Sequence, residues 1–313
     1  MKKNNKIIAI QGDSLNLMNR KTDTTLLLAL EAQKRNYKIF YYQTENLTFS
    51  ENKVLAYCTE VEFDENKKNF YKIKNFKNLD LSKANFVLMR QNPPFNMDYI
   101  TATYLLQKLP KTTKVFNDPF AVRNIPEKLS SIYFTKLMPP SIFTKDINEI
   151  KKFIKIYKKI VIKPTHGYGG NNILFVTNKT PKKKITKYLN KNIHVMAQKF
   201  LPQVKKGDKR IFIIDGKIKG VIKRMPKKNS IVTNLGQGGT AIKTKLNYKE
   251  RDVVNKIAVF LKENNILFAG IDLIGSYLIG DINVTSPTGL KNFKDLTGKD
   301  LTIDIWNCLE NSK

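Results

Sequence analysis

Val161-Ile162-Lys163-Pro164-Thr165-His166-Gly167-Tyr168-Gly169-Gly170-Asn171 is the stretch on which the fold is decided. An apolar strand ends in a lysine and passes directly into a glycine-rich loop. An ammonium and mobile backbone N–H groups therefore converge where phosphates can be cradled. Taken alone, the loop reads as a mobile turn and Lys163 as a solvated strand end. It is not a P-loop, since no Gly-Lys-Ser/Thr follows, and it does not match the dinucleotide fingerprint.

Its complement lies more than a hundred residues downstream. Gly270-Ile271-Asp272-Leu273-Ile274 and Tyr277-Leu278-Ile279-Gly280-Asp281-Ile282-Asn283 read as two apolar strands joined by Gly275-Ser276. Acids inside such strands are costly unless paired or metal-bound. Asp281 and Asn283 are two apart and so share one face, with Asp272 able to meet them from the neighbouring strand. Carboxylate and amide oxygens suit Mg²⁺, with Mn²⁺ as the alternative, and phosphate oxygens and water would complete the octahedron. Together the two clusters point to ATP as co-substrate; the competing reading for the acids is ordinary strand-edge hydrogen bonding.

Working outward, the first half alternates strands and helices. Lys6–Ile10, Lys38–Gln43 and Phe86–Arg90 read as strands, 23–35 as a helix capped by Asp23 or Thr22, and 98–109 as another helix. That order predicts a parallel sheet covered on both faces, with Gln11-Gly12-Asp13 and Arg90 through Phe95 as candidate binding loops at strand ends. After Asn117-Asp118-Pro119 the pattern changes. Glu127-Lys128-Leu129 opens a short helix, Asp146 caps one running to Tyr157, and Pro181 starts another. Asp215-Gly216 between two β-rich runs predicts a hairpin. The class is α/β, turning α+β in the second half.

The chain has 313 residues and 41% hydrophobic content, enough for two or three globular domains. Its net charge of +30 would ordinarily suggest nucleic acid or an acidic membrane. The lysines are scattered rather than gathered into an arm, so a general composition bias explains them better, and no specific nucleic-acid partner is expected. No apolar run approaches the roughly 20 residues of a membrane span, which predicts a soluble cytoplasmic protein. Cys58 and Cys308 form no CxxC pair, so neither a disulfide framework nor a zinc site is indicated.

Several passages in order resemble the bacterial glutathione synthetase family of the ATP-grasp superfamily, from Lys6 nearly to the C-terminus. They are Leu30-Glu31-Ala32-Gln33, Met89-Arg90 with Pro93-Pro94-Phe95, Ala102-Thr103-Tyr104, Glu127-Lys128-Leu129, Lys163-Pro164 with Gly167 to Gly170, Met196-Ala197-Gln198 with Leu201-Pro202, Gly207-Asp208-Lys209-Arg210, and Ile282 through Thr288. The resemblance implies an ATP-grasp fold behind a Rossmann-like N-terminal domain. It divides the chain into a substrate-binding domain at 1–122 and an ATP-grasp domain at 123–313, the latter split into a lid part at 123–203 and a metal and peptide part at 204–313.

The implied reaction is ATP-dependent ligation of γ-glutamylcysteine to glycine through an acylphosphate, giving glutathione, ADP and phosphate. Carried over by the resemblance, Lys128, Lys163, Gly167, Gly169 and Gly170 would meet ATP phosphates, Gln198 and Leu201 the adenine, and Asp208 the ribose. Asp272, Asp281 and Asn283 would hold the metal. Arg210 and Arg224 would be catalytic and, with Asn234, Ser286, Pro287 and Thr288, would contact the peptide. A homotetramer is implied as well. The chain departs from the family's usual pattern at Asp281, where Glu is usual, at loop 225–233, and at Gln91-Asn92. Those departures keep two alternatives open: an ATP-grasp ligase for another carboxylate or amine, and a nucleotide-binding homologue without catalysis.

Overall fold

The computed structural model describes residues 6–228, 230 and 232–311. The opening Met1–Asn5, and Asn229 and Ile231 of loop 225–233, lie outside the described residues.

The first unit comprises β1 (Ile7–Gln11), α1 (Thr24–Lys34), β2 (Lys38–Tyr42), β3 (Leu47–Ser50), β4 (Lys53–Phe63), β5 (Tyr71–Asp80), β6 (Phe86–Met89), α2 (Met97–Leu106), β7 (Lys114–Phe116) and α3 (Pro119–Asn124). Strands β2, β1, β6 and β7 are parallel neighbours, as the alternating pattern predicts. The all-parallel expectation is corrected at one side, where β3, β4 and β5 add antiparallel pairs. Alternation in β4 explains that side: Val54, Ala56 and Cys58 point inward, and after a register shift Val61 and Phe63 do so. Strand β5 is exposed almost throughout, and lysines and asparagines alternate irregularly with Ile73 and Phe76 in its middle, which blunts an edge but hides a strand from pattern reading.

Helix α1 is capped by Asp23, whose carboxylate accepts from Thr25 N at 2.6 Å and Leu26 N at 3.1 Å. It is sandwiched rather than amphipathic, with Leu26, Leu27, Leu28, Ala29 and Ala32 all buried.

The second unit is β8 (Ser141–Thr144), α4 (Ile147–Tyr157), β9 (Lys159–Pro164), β10 (Leu174–Thr177), α5 (Lys182–Asn190) and β11 (Val195–Lys199). Its strands form an antiparallel sheet in the order β10-β9-β11-β8. Ile150, Phe153 and Ile154 of α4 and Ile185 and Leu189 of α5 close over Ile160, Ile162, Val176 and Val195, giving this unit an interior of its own. Pro181 is the residue before α5 rather than its first, where its missing N–H costs nothing.

The third unit carries β12 (Asp208–Ile214), β13 (Lys217–Met225), β14 (Thr240–Lys243), α6 (Tyr248–Glu263), β15 (Phe268–Ile274), β16 (Tyr277–Asn283), α7 (Leu290–Thr297) and α8 (Leu301–Asn311). Its sheet runs β14-β13-β12-β15-β16, all antiparallel. The expected hairpin between β12 and β13 turns at Asp215 (φ 48°) and Gly216 (φ 67°), the two positive φ values of a type I′ turn.

Two fastenings tie the third unit to the first. Asn117, just past β7, donates to the carbonyls of Phe268 and Val284, both at 2.8 Å, and accepts from Phe268 N at 3.0 Å. Helix α8 returns to α1, where the buried Trp306 donates to Leu28 O at 3.0 Å and stacks on Tyr37 at 5.2 Å. Truncating a tryptophan so enclosed costs about 3–5 kcal/mol.

Candidate active site

The second and third sheets face each other across a cleft. Strand β9 ends in Lys163 beneath the glycine loop, and β12, β13, β15 and β16 present the polar side chains opposite. Lys128, Lys163, Gly167, Gly169, Gly170, Gln198, Leu201, Asp208, Arg210, Arg224, Asn234, Asp272, Asp281 and Asn283 all line it. Residues from five separate stretches of sequence thus meet in one place.

The side chains form two buried charge groups. In the first, Lys128 Nζ lies 3.2 Å from Asp281 Oδ1, and Lys163 Nζ lies 3.7 Å from Asp281 Oδ2. Lys163 also donates to Ile279 O at 2.9 Å, and Lys128 donates to the Gly167 carbonyl. Burial alone would raise Asp281, but Lys128 and then Lys163 outweigh it and hold the carboxyl well below its usual range. Burial lowers Lys163. Lys128, equally enclosed, is raised despite burial because Glu127 and Asp281 both attract its proton. Burial pushes Glu127 up to about 7, against the pull of Lys128.

In the second group, Arg210 grips Asp272 with Nε and Nη2, the latter at 2.9 Å. Arg224 grips Asp208 through Nε at 2.8 Å and reaches Asp272 with Nη2, also at 2.8 Å. Thr233 Oγ1 donates to Asp208 at 2.7 Å. Such bidentate forks fix a guanidinium plane as a lysine could not. Burial opposes the charge on Asp272, yet Arg210 and Arg224 hold it low. Arg224 is raised, as Asp208 and Asp272 overcome its own burial.

The metal candidates suit a hard cation in kind, although Asp272 gives both carboxylate oxygens to Arg210 and one of them to Arg224 as well. Two carboxylates and an amide reach the cleft from β15 and β16, where a register shift and Gly280 (φ 88°) bend the strand beside Asp281. Asn283 Nδ2 donates to Gly270 O at 3.2 Å, which turns its amide oxygen away from that carbonyl. Among the described residues, no group of three or more His, Cys, Asp or Glu could hold a metal alone. A cation here therefore needs oxygens from elsewhere, as a nucleotide's phosphates supply.

The glycine loop is drawn over the cleft. Gly169 (φ 65°) and Gly170 (φ 76°) adopt backbone that other residues resist, and a Cβ at Gly170 would come within 2.7 Å of Val232 Cγ1. Gln237 Nε2 holds the loop through Gly169 O at 2.8 Å and Asn171 Oδ1 at 2.7 Å. Asn234 caps the following turn by accepting from Gly236 N at 2.8 Å. Gln198 Nε2 donates to Ser141 Oγ at 2.9 Å.

Ser286, Pro287 and Thr288 stand apart, since none of them lines the cleft. They bridge two buried arginines, Pro287 and Thr288 through their carbonyls and Ser286 through its hydroxyl. Arg90 Nη2 donates to Pro287 O at 3.0 Å, Ser286 Oγ to Arg90 O at 3.1 Å, and Arg210 Nη1 to Thr288 O at 3.2 Å. Arg90 has no carboxylate among these partners, and burial lowers it to about 10. Its neighbours Gln11, Gln91 and Tyr99 keep buried side-chain polar atoms without a hydrogen-bond partner. The sequence marks Glu127, Val232 and Thr233 only within longer segments, with no role for each alone. Glu127 directly precedes Lys128, the one local signal that could have drawn it in.

Two facing antiparallel sheets gripping a cleft, behind a parallel-sheet domain, are the architecture of ATP-grasp ligases. Solved structures with this fold include the D-cycloserine synthetase DcsG (TM-score 0.67, 15% identity, 98% of this chain and all of that one). The ATP-grasp ligase PsnB bound to its minimal precursor is similar too (TM-score 0.64, 14% identity, 99% and 100% coverage).

Residues 7–123 match the family described as prokaryotic glutathione synthetase, N-terminal domain, and residues 127–298 its ATP-grasp domain. A glutathione synthetase of Agrobacterium fabrum is 36% identical over 312 residues, covering 98% of this chain and 97% of its own. One from Buchnera aphidicola is 34% identical over 311 residues, with 97% and 95% covered. The chain belongs to the prokaryotic glutathione synthetase family and is an ATP-dependent carbon–nitrogen ligase.

Proposed function

We propose that the chain joins γ-glutamylcysteine to glycine at the expense of ATP, through an acylphosphate on the cysteinyl carboxylate. The observation that carries this is the convergence of four buried cations, Lys128, Lys163, Arg210 and Arg224, with Asp208, Asp272 and Asp281 in one cleft under a glycine loop. Phosphoryl transfer needs alignment and charge neutralisation more than a protein nucleophile, and this cleft offers both.

In this reading Lys128 and Lys163 take the phosphates, and Gly167, Gly169 and Gly170 fold over them. Gln198 and Leu201 meet the adenine and Asp208 the ribose. The Arg224–Asp208 fork leaves one lone pair on Asp208 Oδ1 for that contact. Asp272, Asp281 and Asn283 would hold Mg²⁺, or Mn²⁺, which when bound neutralises phosphate charge. Arg210 and Arg224 orient the acid and steady its phosphate, with Asn234 at the lid. Ser286, Pro287 and Thr288, held between Arg90 and Arg210, contact the peptide at the edge where it enters.

The same reading assigns 1–122 to substrate binding, 123–203 to the lid and 204–313 to metal and peptide, in a cytoplasmic homotetramer. No helix of the described residues is long and apolar enough to cross a membrane.

The test is ADP release with Mg·ATP and γ-glutamylcysteine, with and without glycine, and after chelation of divalent ions. Glycine-dependent, chelator-sensitive release supports the reading. Release only with another amine, or nucleotide binding without turnover, overturns it.

A further inference from the structure

The tip of the glycine loop is held by one side chain from the third unit. Gln237 spends both protons of its amide there, one on the Gly169 carbonyl at 2.8 Å and one on Asn171 Oδ1 at 2.7 Å. The base from which Gln237 reaches is firm. Its turn closes where Gln237 N and Gly239 N both donate to Asn234 O at 3.1 Å, and a Cβ at Gly239 would lie 2.4 Å from Thr233 O, so only glycine lets the chain close so tightly. Leu235 packs against the core lined by α7 and α8, and Thr233 Oγ1 ties the start of the turn to Asp208. On the loop's side, Lys128 fastens the beginning at the Gly167 carbonyl and Gln237 fastens the tip. Gln237 is itself exposed. Water therefore competes for its two partners, and the bonds break and re-form readily.

A loop that lies over phosphates must lift before a nucleotide enters or leaves, and such lid steps commonly set turnover. We propose that Gln237 is a positioning residue that latches the glycine loop over the cleft, so that nucleotide exchange waits on the breaking of its two bonds to Gly169 and Asn171. The inference rests on the ligase reading above for the nucleotide and adds what governs its passage. Because the latch joins protein to protein, it holds the loop equally on the way in and on the way out. Its loss speeds entry and departure alike and leaves affinity nearly unchanged, since it favours neither the free nor the loaded cleft. A side chain that touched the nucleotide would shift affinity instead.

The experiment mixes wild type, Gln237→Met, Asn171→Ala and the double variant with Mg·ADP carrying a fluorescent ribose label, followed by stopped flow. Methionine keeps the stem of Gln237 and donates nothing. In Gln237→Met the association and dissociation rate constants should both rise about tenfold, while Kd moves by less than about threefold. Asn171→Ala removes one of the two bonds and should raise both rates about threefold; added to Gln237→Met it should change nothing further. The amides of Gly167 and Asn171, bonded within the loop to Pro164 O at 3.2 Å and Tyr168 O at 3.1 Å, should exchange their hydrogens about tenfold faster in Gln237→Met, with the urea midpoint unmoved. Unchanged rates, a rise in dissociation alone, full additivity of the two substitutions or unaltered hydrogen exchange would overturn the latch. Labelled ADP that fails to bind wild type would instead sink the nucleotide site of the ligase reading, and hydrogen exchange would still decide whether Gln237 holds the loop.

Discussion

Replacing Arg224 by methionine probes the buried charge network directly. Arg224 supplies Asp208 with two charge-assisted bonds and Asp272 with one. Methionine fills the stem's volume and donates nothing. Asp272 retains the Arg210 fork, but Asp208, only 2% exposed, keeps just the Thr233 hydroxyl at 2.7 Å. Removing one partner of a buried pair costs about 3–5 kcal/mol, because the remaining charge is stranded. Adding Asp208→Asn removes that charge while keeping an acceptor for Thr233. The double variant should therefore recover at least about 2 kcal/mol, the signature of coupled sites. Urea unfolding at pH 7, read by fluorescence and circular dichroism, gives both values. A single-variant loss under about 1 kcal/mol would show the pair to be as weak as a surface bridge. A double variant no better than the single one would equally refute the stranded-charge reasoning.

Three further outcomes follow from the same geometry. Lys163→Met should cut turnover at least about 10²-fold while the unfolding transition moves by only about 1–2 kcal/mol, the cost of leaving Ile279 O without its donor; steady-state kinetics and denaturation on one preparation check both. Glu127 holds its proton up to about pH 7 when folded but only to about 4.5, its ordinary value, when unfolded. Its contribution to stability therefore falls as pH rises through that interval. Glu127→Gln should remove that slope, so its thermal midpoint should gain on wild type between pH 5 and pH 8; parallel curves would exclude the effect. Gly280→Ala combines a φ of 88° with a Cβ only 2.7 Å from Met196 Cε, where β16 abuts the second sheet. It should raise the KM for ATP and lower the thermal midpoint, and unaltered values would mean that Met196 yields freely.

Much of this was readable in the residues. The hairpin at Asp215-Gly216, the capped helix after Asp23 and the paired strands around Gly275-Ser276 all carry local signals that tertiary packing did not override. Strand β5 was not readable, because Lys72, Lys74 and Lys77 on an exposed edge erase the alternation that marks a strand. At the site, spacing places Asp281 and Asn283 on one face. It says nothing of which cation each acid holds, since Arg210 meets Asp272 across 62 residues. The backbone role of Pro287 and Thr288 was equally hidden: carbonyl acceptors leave no trace in side-chain identity.

The self-contained interior of the β8–β11 unit has a consequence beyond the site it covers. Most of its apolar contacts close among Ile150, Phe153, Ile160, Ile162, Val176 and Val195; Met196 and Phe143 reach the core of the opposing sheet, and Lys163, Lys128 and Gln237 add polar links. A piece built this way behaves as a cassette. Drift in its interior leaves the opposing sheet undisturbed, so the grip on the phosphate donor and the choice of acid can evolve on separate clocks.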